Sequence, residues 1–262
     1  MRLNGFAKKC EKMDMDNSSV TRNLVISKRL QALVDLVTPG NRVVDVGCDH
    51  GFVAIRLVQQ GISPHVIAMD VRKGPLSGAA EHIAQWQMED RIETRLSDGL
   101  EAFAAGEAET MVCAGMGGPL MMRILADAEE KAKSLRELIL QPQSELMEFR
   151  QFLRTEGYRT MDEHILVEEG KYYFLFKVCP REKQQGEEPS SLLRMYDKYS
   201  QLLLERRDPV LHQFLTKNLK TTEQIIEGLH RNPTERGQNR LKELEEERED
   251  LRNALRFYED AD

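Results

Sequence analysis

The pattern of apolar and polar positions changes near residue 180. Before it, short β-branched or apolar runs alternate with stretches whose apolar residues recur every three or four positions. Leu24–Val37 puts Ile26, Leu30, Leu33, Val34 and Val37 on one face and stops at Pro39-Gly40, which predicts an amphipathic helix. The runs Arg42–Val46, His65–Asp70, Ile92–Arg95, Thr110–Ala114 and Glu137–Leu140 read as strands. Helical spacing fills Phe52–Gln60, Pro75–Met88, Pro119–Ala132 and Glu145–Glu156. "YRTMDEHILVEEGKYYFLFKV" then holds two strand-like runs about Glu169-Gly170, a turn signal, and reads as a hairpin. Such alternation predicts an α/β fold: a mostly parallel, doubly wound sheet with helices on both faces. The hairpin adds an antiparallel strand at one edge.

After Cys179 the strands vanish. "PREKQQGEEPSS" is a polar linker, and three helical stretches follow, broken near Pro209 and Pro233. The last carries Leu241, Leu244, Leu251 and Leu255 among dense opposite charges, as a helical hairpin or coiled coil would. The chain thus divides into a polar extension (1–23), an α/β domain (24–180) and an all-α domain (181–262) that is a helical hairpin or coiled coil.

The candidate chemistry starts at "RVVDVGCDHGFVAIRLV", a strand, turn and helix. A dinucleotide site wants a glycine midway between Gly47 and Gly51, so that backbone can approach a pyrophosphate. This chain has Asp49 there, followed by His50. Ligands of open α/β sheets sit beyond the carboxyl ends of the strands. Asp45, Asp70 and Asp98 (with Gly99) all fall near such ends, and Asp70 comes at the spacing of a ribose-binding carboxylate. NAD and S-adenosylmethionine (SAM) are both served by these acids. Asp49 separates them, because it repels a diphosphate and stabilises an ammonium or sulfonium.

"CAGMGG" (Cys113 to Gly118) follows the fourth strand and opens a helix; its small residues permit close approach by a flat ligand. Ala114 and Gly115 are expected beside the cofactor. Met116, Gly117 and Gly118, with Gln141 and Pro142 of "LQPQ", are expected to build an acceptor pocket.

With 262 residues, 40% hydrophobic, the chain has material for one sizeable core. No run approaches the roughly 20 apolar residues of a membrane span, and the N-terminus lacks the apolar region of a signal peptide. The four cysteines show neither disulfide nor metal-ligand spacing, which fits a reducing cytoplasm and no bound metal. Cys48 is read as a small loop thiol. A net charge of −7 leaves nucleic-acid binding to a local basic face.

"SKRL" (Ser27–Leu30), "VVDVGCDHG", "SDGL", "AGMGG" and "LILQPQ" occur in the order found in a known family, and the chain resembles the bacterial tRNA (adenine-22, N1)-methyltransferases (TrmK). Members more usually have Ser at position 48 and Asn at position 143. The resemblance implies a Rossmann-like class I methyltransferase domain with a C-terminal helical coiled-coil domain. It further implies SAM across the first loop, Asp70 near its ribose, Asp98 near its adenine, and a tRNA adenine as acceptor. Arg29, in "SKRL", could meet the SAM carboxylate or an RNA phosphate. No general base is assigned, since neutral adenine already has a lone pair on N1. Lys8, Lys9, Arg22, Lys28, Arg29, Arg206, Arg207, Lys217 and Lys220 are the candidate cations for RNA. The rival readings are an NAD-dependent oxidoreductase, a SAM-dependent methyltransferase of a non-RNA acceptor, and a non-enzymatic SAM-binding or coiled-coil module. Oligomeric state stays open.

Overall fold

A computed structural model describes residues 23–182, 190–231 and 235–259. Residues 1–22, with Lys8, Lys9 and Arg22, lie outside the described residues, as does most of the polar linker.

Seven strands form one sheet: β1 (Val43–Val46), β2 (Val66–Asp70), β3 (Ile92–Leu96), β4 (Thr110–Met116), β5 (Glu137–Pro142), β6 (Tyr158–Glu168) and β7 (Lys171–Pro180). Their order is β3-β2-β1-β4-β5-β7-β6. Because β1 pairs in parallel with both β2 and β4, the winding reverses beside β1, and the loop after it lies at the switch point.

The one antiparallel strand is not at the edge. β7 sits between β5 and β6, antiparallel to both, and β6 forms the edge. Phe174, Leu175 and Phe176 explain this: three successive side chains are buried, so both faces of β7 are covered. β6 instead alternates buried and more exposed residues.

The first helix, α1 (Lys28–Leu36), begins later than its apolar period because Ser27 caps it, accepting the Leu30 N–H on Oγ. After it come α2 (Phe52–Gln59), α3 (Lys73–Gln85), α4 (Gly118–Asp127), α5 (Glu129–Lys133) and α6 (Leu146–Thr155). The expected helix Pro119–Ala132 is therefore two, broken at Ala128, whose φ of −123° and ψ of 39° leave the helical region. Neither Pro nor Gly marks that break.

Beyond the linker lie α7 (Ser191–Tyr199), α8 (Gln201–Glu205), α9 (Pro209–Arg231) and α10 (Glu235–Leu255). The last two run antiparallel: Arg252 meets Glu223 at 2.8 Å, and the Tyr258 hydroxyl donates to the Asp208 carbonyl at 2.9 Å. These helices share the apolar core on one sheet face, where Tyr199, Leu203, Leu211, Leu215 and Leu251 join Phe149, Phe174 and Phe176. The other face packs on α1, α2 and α3 through Leu33, Val34, Ile55, Leu57 and Ile83.

Arg150, in a buried ion pair with Glu163, ties the two parts together by hydrogen bonds to the helical region. Arg150 Nη2 lies 2.5 Å from Glu163 Oε1, and Arg150 Nη1 donates to the carbonyls of Asp197 and Lys198 at 2.8 and 3.0 Å. Arg206 is held by Asp162 at 2.9 Å and by the Glu163 carbonyl. The edge strand is thus covered rather than left open to pairing.

Candidate cofactor and acceptor site

The loop after β1 is shaped by backbone requirements. The N–H groups of Gly47 and Cys48 both donate to the Met69 carbonyl, at 2.8 and 2.9 Å, which pins the turn to β2. Gly47, Asp49 and Gly51 then adopt left-handed φ values of 77°, 49° and 71°. Gly51 is also needed for packing: a Cβ there would stand 3.2 Å from Ala79 Cβ on α3. On Gly47, a Cβ would come within 2.1 Å of Met116 Cε, so the bare face of this glycine is covered by the Met116 side chain. The turn leaves the side chains of Asp49 and His50 in solvent.

Beneath the loop, Asp45 is buried, and its Oδ2 has no hydrogen-bond partner. Burial first, and the charge of Asp70 second, push its carboxyl up to about 7. Asp70 is also buried and accepts the Arg72 backbone N–H on Oδ1 at 2.8 Å. The structure therefore brings Asp45 and Asp70 together under the loop. Asp98 is exposed on the next loop, where it and Gly99 line a groove of about 500 Å³ against α4 and α5.

Three rings gather near the loop, of which only His50 was a candidate from the sequence. His50 stacks on Phe52 at 5.5 Å, and Phe52 on His82 at 5.0 Å. His82 Nδ1 lies 3.0 Å from the His50 carbonyl, so α3 holds the loop residue in place. The His50/Phe52 spacing was visible, but His82 is a long-range partner.

Across the switch point, Arg29 reaches from α1 to the ends of β4 and β5. Its Nη1 donates to Gln141 Oε1 at 2.8 Å, and its guanidinium carbon lies 5.5 Å from the Tyr173 ring centre. Gln141 is fully buried, and its Nε2 donates to the Pro142 carbonyl at 3.0 Å. Both ends of this amide are engaged, so Gln141 holds Arg29 instead of offering a free edge to a ligand. Pro142 is buried as well. Gln143, exposed, is the amide beside the cleft: a Cβ on Gly115 would stand 3.7 Å from its Nε2 and 3.9 Å from Arg29 Nη1. Tyr173 was missed, its only signal being the paired aromatics of "KYYF".

The glycines of "AGMGG" serve different ends. Gly115 is exposed, Met116, Gly117 and Ala114 are half-buried, and Gly118 is buried. A Cβ on Gly118 would meet the Ser144 carbonyl oxygen at 2.5 Å, so its missing side chain makes room for the chain itself. Gly118 is thus a packing glycine, not a surface for a flat ligand.

Burial pushes the thiols of Cys48 and Cys113 far above their usual range, which leaves them unreactive. Among the described residues, no group of three or more His, Cys, Asp or Glu side chains is placed to hold a metal ion. No helix among them is long and apolar enough to cross a membrane.

A doubly wound sheet with a reversed seventh strand, and an acid-bearing loop at its switch point, defines a Rossmann-like methyltransferase. A family model described as a methyltransferase domain matches residues 26–176. The chain belongs to that family and, within it, to the tRNA (adenine(22)-N(1))-methyltransferases: the enzyme of that name from Bacillus subtilis (strain 168) is 30% identical over 233 residues, 88% of this chain and 98% of the relative. The crystal structure of the Bacillus subtilis M1A22 tRNA methyltransferase TrmK is similar with a TM-score of 0.75 at 29% identity, covering 89% of this chain and all of that one. A Streptococcus pneumoniae protein solved in complex with S-adenosyl-L-methionine has a TM-score of 0.76 at 28% identity over 88% of this chain and all of that one.

Proposed function

We propose that this chain transfers the methyl group of SAM to N1 of adenine 22 in tRNA, the reaction for which its Bacillus relative is named. The observation that carries the reading is the pair of buried acids under an acid-bearing loop, with one carboxylate oxygen of Asp45 unpartnered. That site suits a cationic nucleoside and opposes a pyrophosphate, which disfavours the NAD-dependent oxidoreductase.

In this reading Gly47, Asp49, His50 and Gly51 form the lip of the SAM site, and Asp45 lies beneath it. Asp70 accepts from the ribose; Asp98 and Gly99 face the adenine. Ala114 and Gly115 border the methionine end. The acceptor base enters over Met116 and Gly117, with Gln143 alongside and Gln141 and Pro142 as the supporting floor. SAM supplies an electrophilic methyl carbon on a sulfonium. Adenine N1 attacks that carbon with its own lone pair while the carbon–sulfur bond breaks and its electron pair stays on sulfur, leaving S-adenosylhomocysteine. The chain needs no general base, and its task is alignment. N1 lies on the pairing edge, and the base must be extruded before it reacts. The methylated base is cationic, and carbonyls at the ends of β4 and β5 can stabilise the developing charge. Residues 24–180 carry this chemistry and residues 181–262 help to present the RNA, as work in the cytoplasm on tRNA requires.

The test is methyl-labelled SAM with unmodified tRNA transcripts bearing adenine or guanine at position 22. Label recovered as N1-methyladenosine from the adenine form alone supports the proposal. No transfer to either transcript, with SAM binding intact, would remove the RNA acceptor.

A further inference from the structure

Tyr172 and Tyr173 are successive residues of β7, so their side chains point to opposite faces of the sheet. Each ring carries a cation. Lys217 Nζ, from α9, lies 5.5 Å from the Tyr172 ring centre; the Arg29 guanidinium carbon, from α1, lies 5.5 Å from that of Tyr173. Phe214 meets Tyr172 edge-on at 5.1 Å, which fixes α9 against the hairpin end. Lys171 stands opposite Glu168 in the backbone register of the hairpin, and Glu168 Oε1 accepts the Lys28 backbone N–H at 2.6 Å. Three separate elements therefore bring Lys28, Arg29, Lys171 and Lys217 to one rim of the molecule. Lys220 lies about one helical turn beyond Lys217 on α9.

The side chains of Lys28, Lys171, Lys217 and Lys220 are exposed and have no ion-pair partner among the described residues. Glu168 and Glu169 are the acids at the hairpin tip, against these four ammonium groups and Arg29. The other candidate cations of the tail are spent internally. Arg206 serves Asp162 and the Glu163 carbonyl, and Arg207 donates to the Glu259 carbonyl at 3.3 Å. On α10 the exposed Glu243, Glu245, Glu246 and Glu249 repel a polyanion.

We infer that this rim, made of the β6–β7 hairpin tip, the start of α1 and the adjoining turns of α9, is the docking surface for the sugar-phosphate backbone of a folded RNA. The inference rests on the proposed function and deepens it. Arg29 lies both on the rim and beside Gly115 and Gln141, so RNA seated there has its backbone next to the acceptor cleft. Unpaired ammonium groups are suited to phosphates because they displace condensed counterions without first breaking an internal pair.

The test uses the full chain with Lys171→Glu, Lys217→Glu and Lys220→Glu combined. A charge-matched control reverses Arg91, Arg136 and Lys242, exposed residues near the amino ends of β3 and β5 and on α10. Binding of unmodified tRNA transcript is followed across a salt series, with SAM affinity measured by calorimetry as the check on folding. The rim variant is expected to keep SAM affinity, to bind tRNA at least tenfold more weakly at low salt, and to lose about 2 to 3 from the slope of log K against log salt. The control is expected to keep the wild-type slope. A rim variant with wild-type tRNA affinity and slope, or a control that loses as much, overturns the docking surface alone if the wild-type chain methylates tRNA. A wild-type chain that neither binds nor methylates tRNA overturns the proposed function as well.

Discussion

Arg29 and Gln141, 112 residues apart in the chain, are joined by one hydrogen bond of 2.8 Å in which the guanidinium donates to the buried amide oxygen. The other end of that amide is closed off by the Pro142 carbonyl. Gln141 is therefore a positioning residue whose work is done through Arg29. Gln141→Ala removes a buried acceptor and leaves a half-buried guanidinium one partner short, a loss of about 1–3 kcal/mol. Methyl transfer should fall in Gln141→Ala and in Arg29→Ala, and the double variant should be little worse than Arg29→Ala alone. Gln141→Glu keeps an acceptor for Arg29 but loses the N–H that the Pro142 carbonyl accepts, and should recover part of the kcat/KM. Strictly additive losses, or no recovery with Glu, would show that the two residues act separately.

The parts that the sequence made legible are those governed by local rules. The strand runs, the helix stop at Pro39-Gly40, the Glu169-Gly170 hairpin and the glycine requirements of the loop after β1 depend on a few neighbouring residues. What escaped was decided by partners far away in the chain. Nothing near Arg206 announces that Asp162 and the Glu163 carbonyl consume it, and nothing near Gly118 announces the Ser144 carbonyl. The break at Ala128 has no Pro or Gly to betray it, and tertiary packing overrode a helical period there. The interior place of β7 was in principle readable, since "FLF" is apolar on both faces.

Gly117 and Gly118 should respond differently to alanine. In a helix, Gly→Ala ordinarily gains up to about 1 kcal/mol. At Gly118 that gain is opposed by a Cβ only 2.5 Å from a backbone carbonyl, and overpacking of this kind costs roughly 1–3 kcal/mol. Gly118→Ala should therefore lower stability in urea titrations. At Gly117 the nearest atom is the Ser144 hydroxyl at 3.3 Å, on a side chain that can rotate, and φ is −63°. Gly117→Ala should cost less than about 1 kcal/mol, the scale of a lost N-cap preference. Equal losses at both sites would mean that the loop after β5 yields freely.

Gly47 combines a left-handed φ of 77° with a bare face covered by the end of the Met116 side chain. Met116 can move aside for an added methyl, so the stability cost of Gly47→Ala is chiefly the backbone term, about 1–2 kcal/mol. Its effect on the cofactor should be larger, since the methyl would stand in the path of any ligand lying across the loop. Calorimetry should find SAM binding at least tenfold weaker in a variant that still unfolds cooperatively. Unchanged affinity would place the ligand elsewhere.

Asp45 makes the stability of the protein depend on pH in a direction opposite to that of a paired carboxylate. Burial, then the neighbouring Asp70 charge, raises its folded pKa to about 7, against an unfolded value of about 3.9. Between those values the native state holds a proton that the unfolded state has released. Its contribution to stability is thus complete below about pH 4 and is lost as pH rises through about 7. Asp45→Asn mimics the protonated form. Its stability should match wild type near pH 4 and exceed it at pH 8, by up to about 4 kcal/mol. A cationic ligand over the loop reverses the preference, because the ionised carboxylate then gains a counter-charge. Titration with SAM near pH 6.5, in buffers of differing ionisation enthalpy, should accordingly show proton release for wild type and none for Asp45→Asn. Parallel stability profiles for the two proteins from pH 4 to pH 8, with no proton released on binding, would mean that Asp45 is already ionised in the free protein, held by a partner that its unpaired Oδ2 does not reveal.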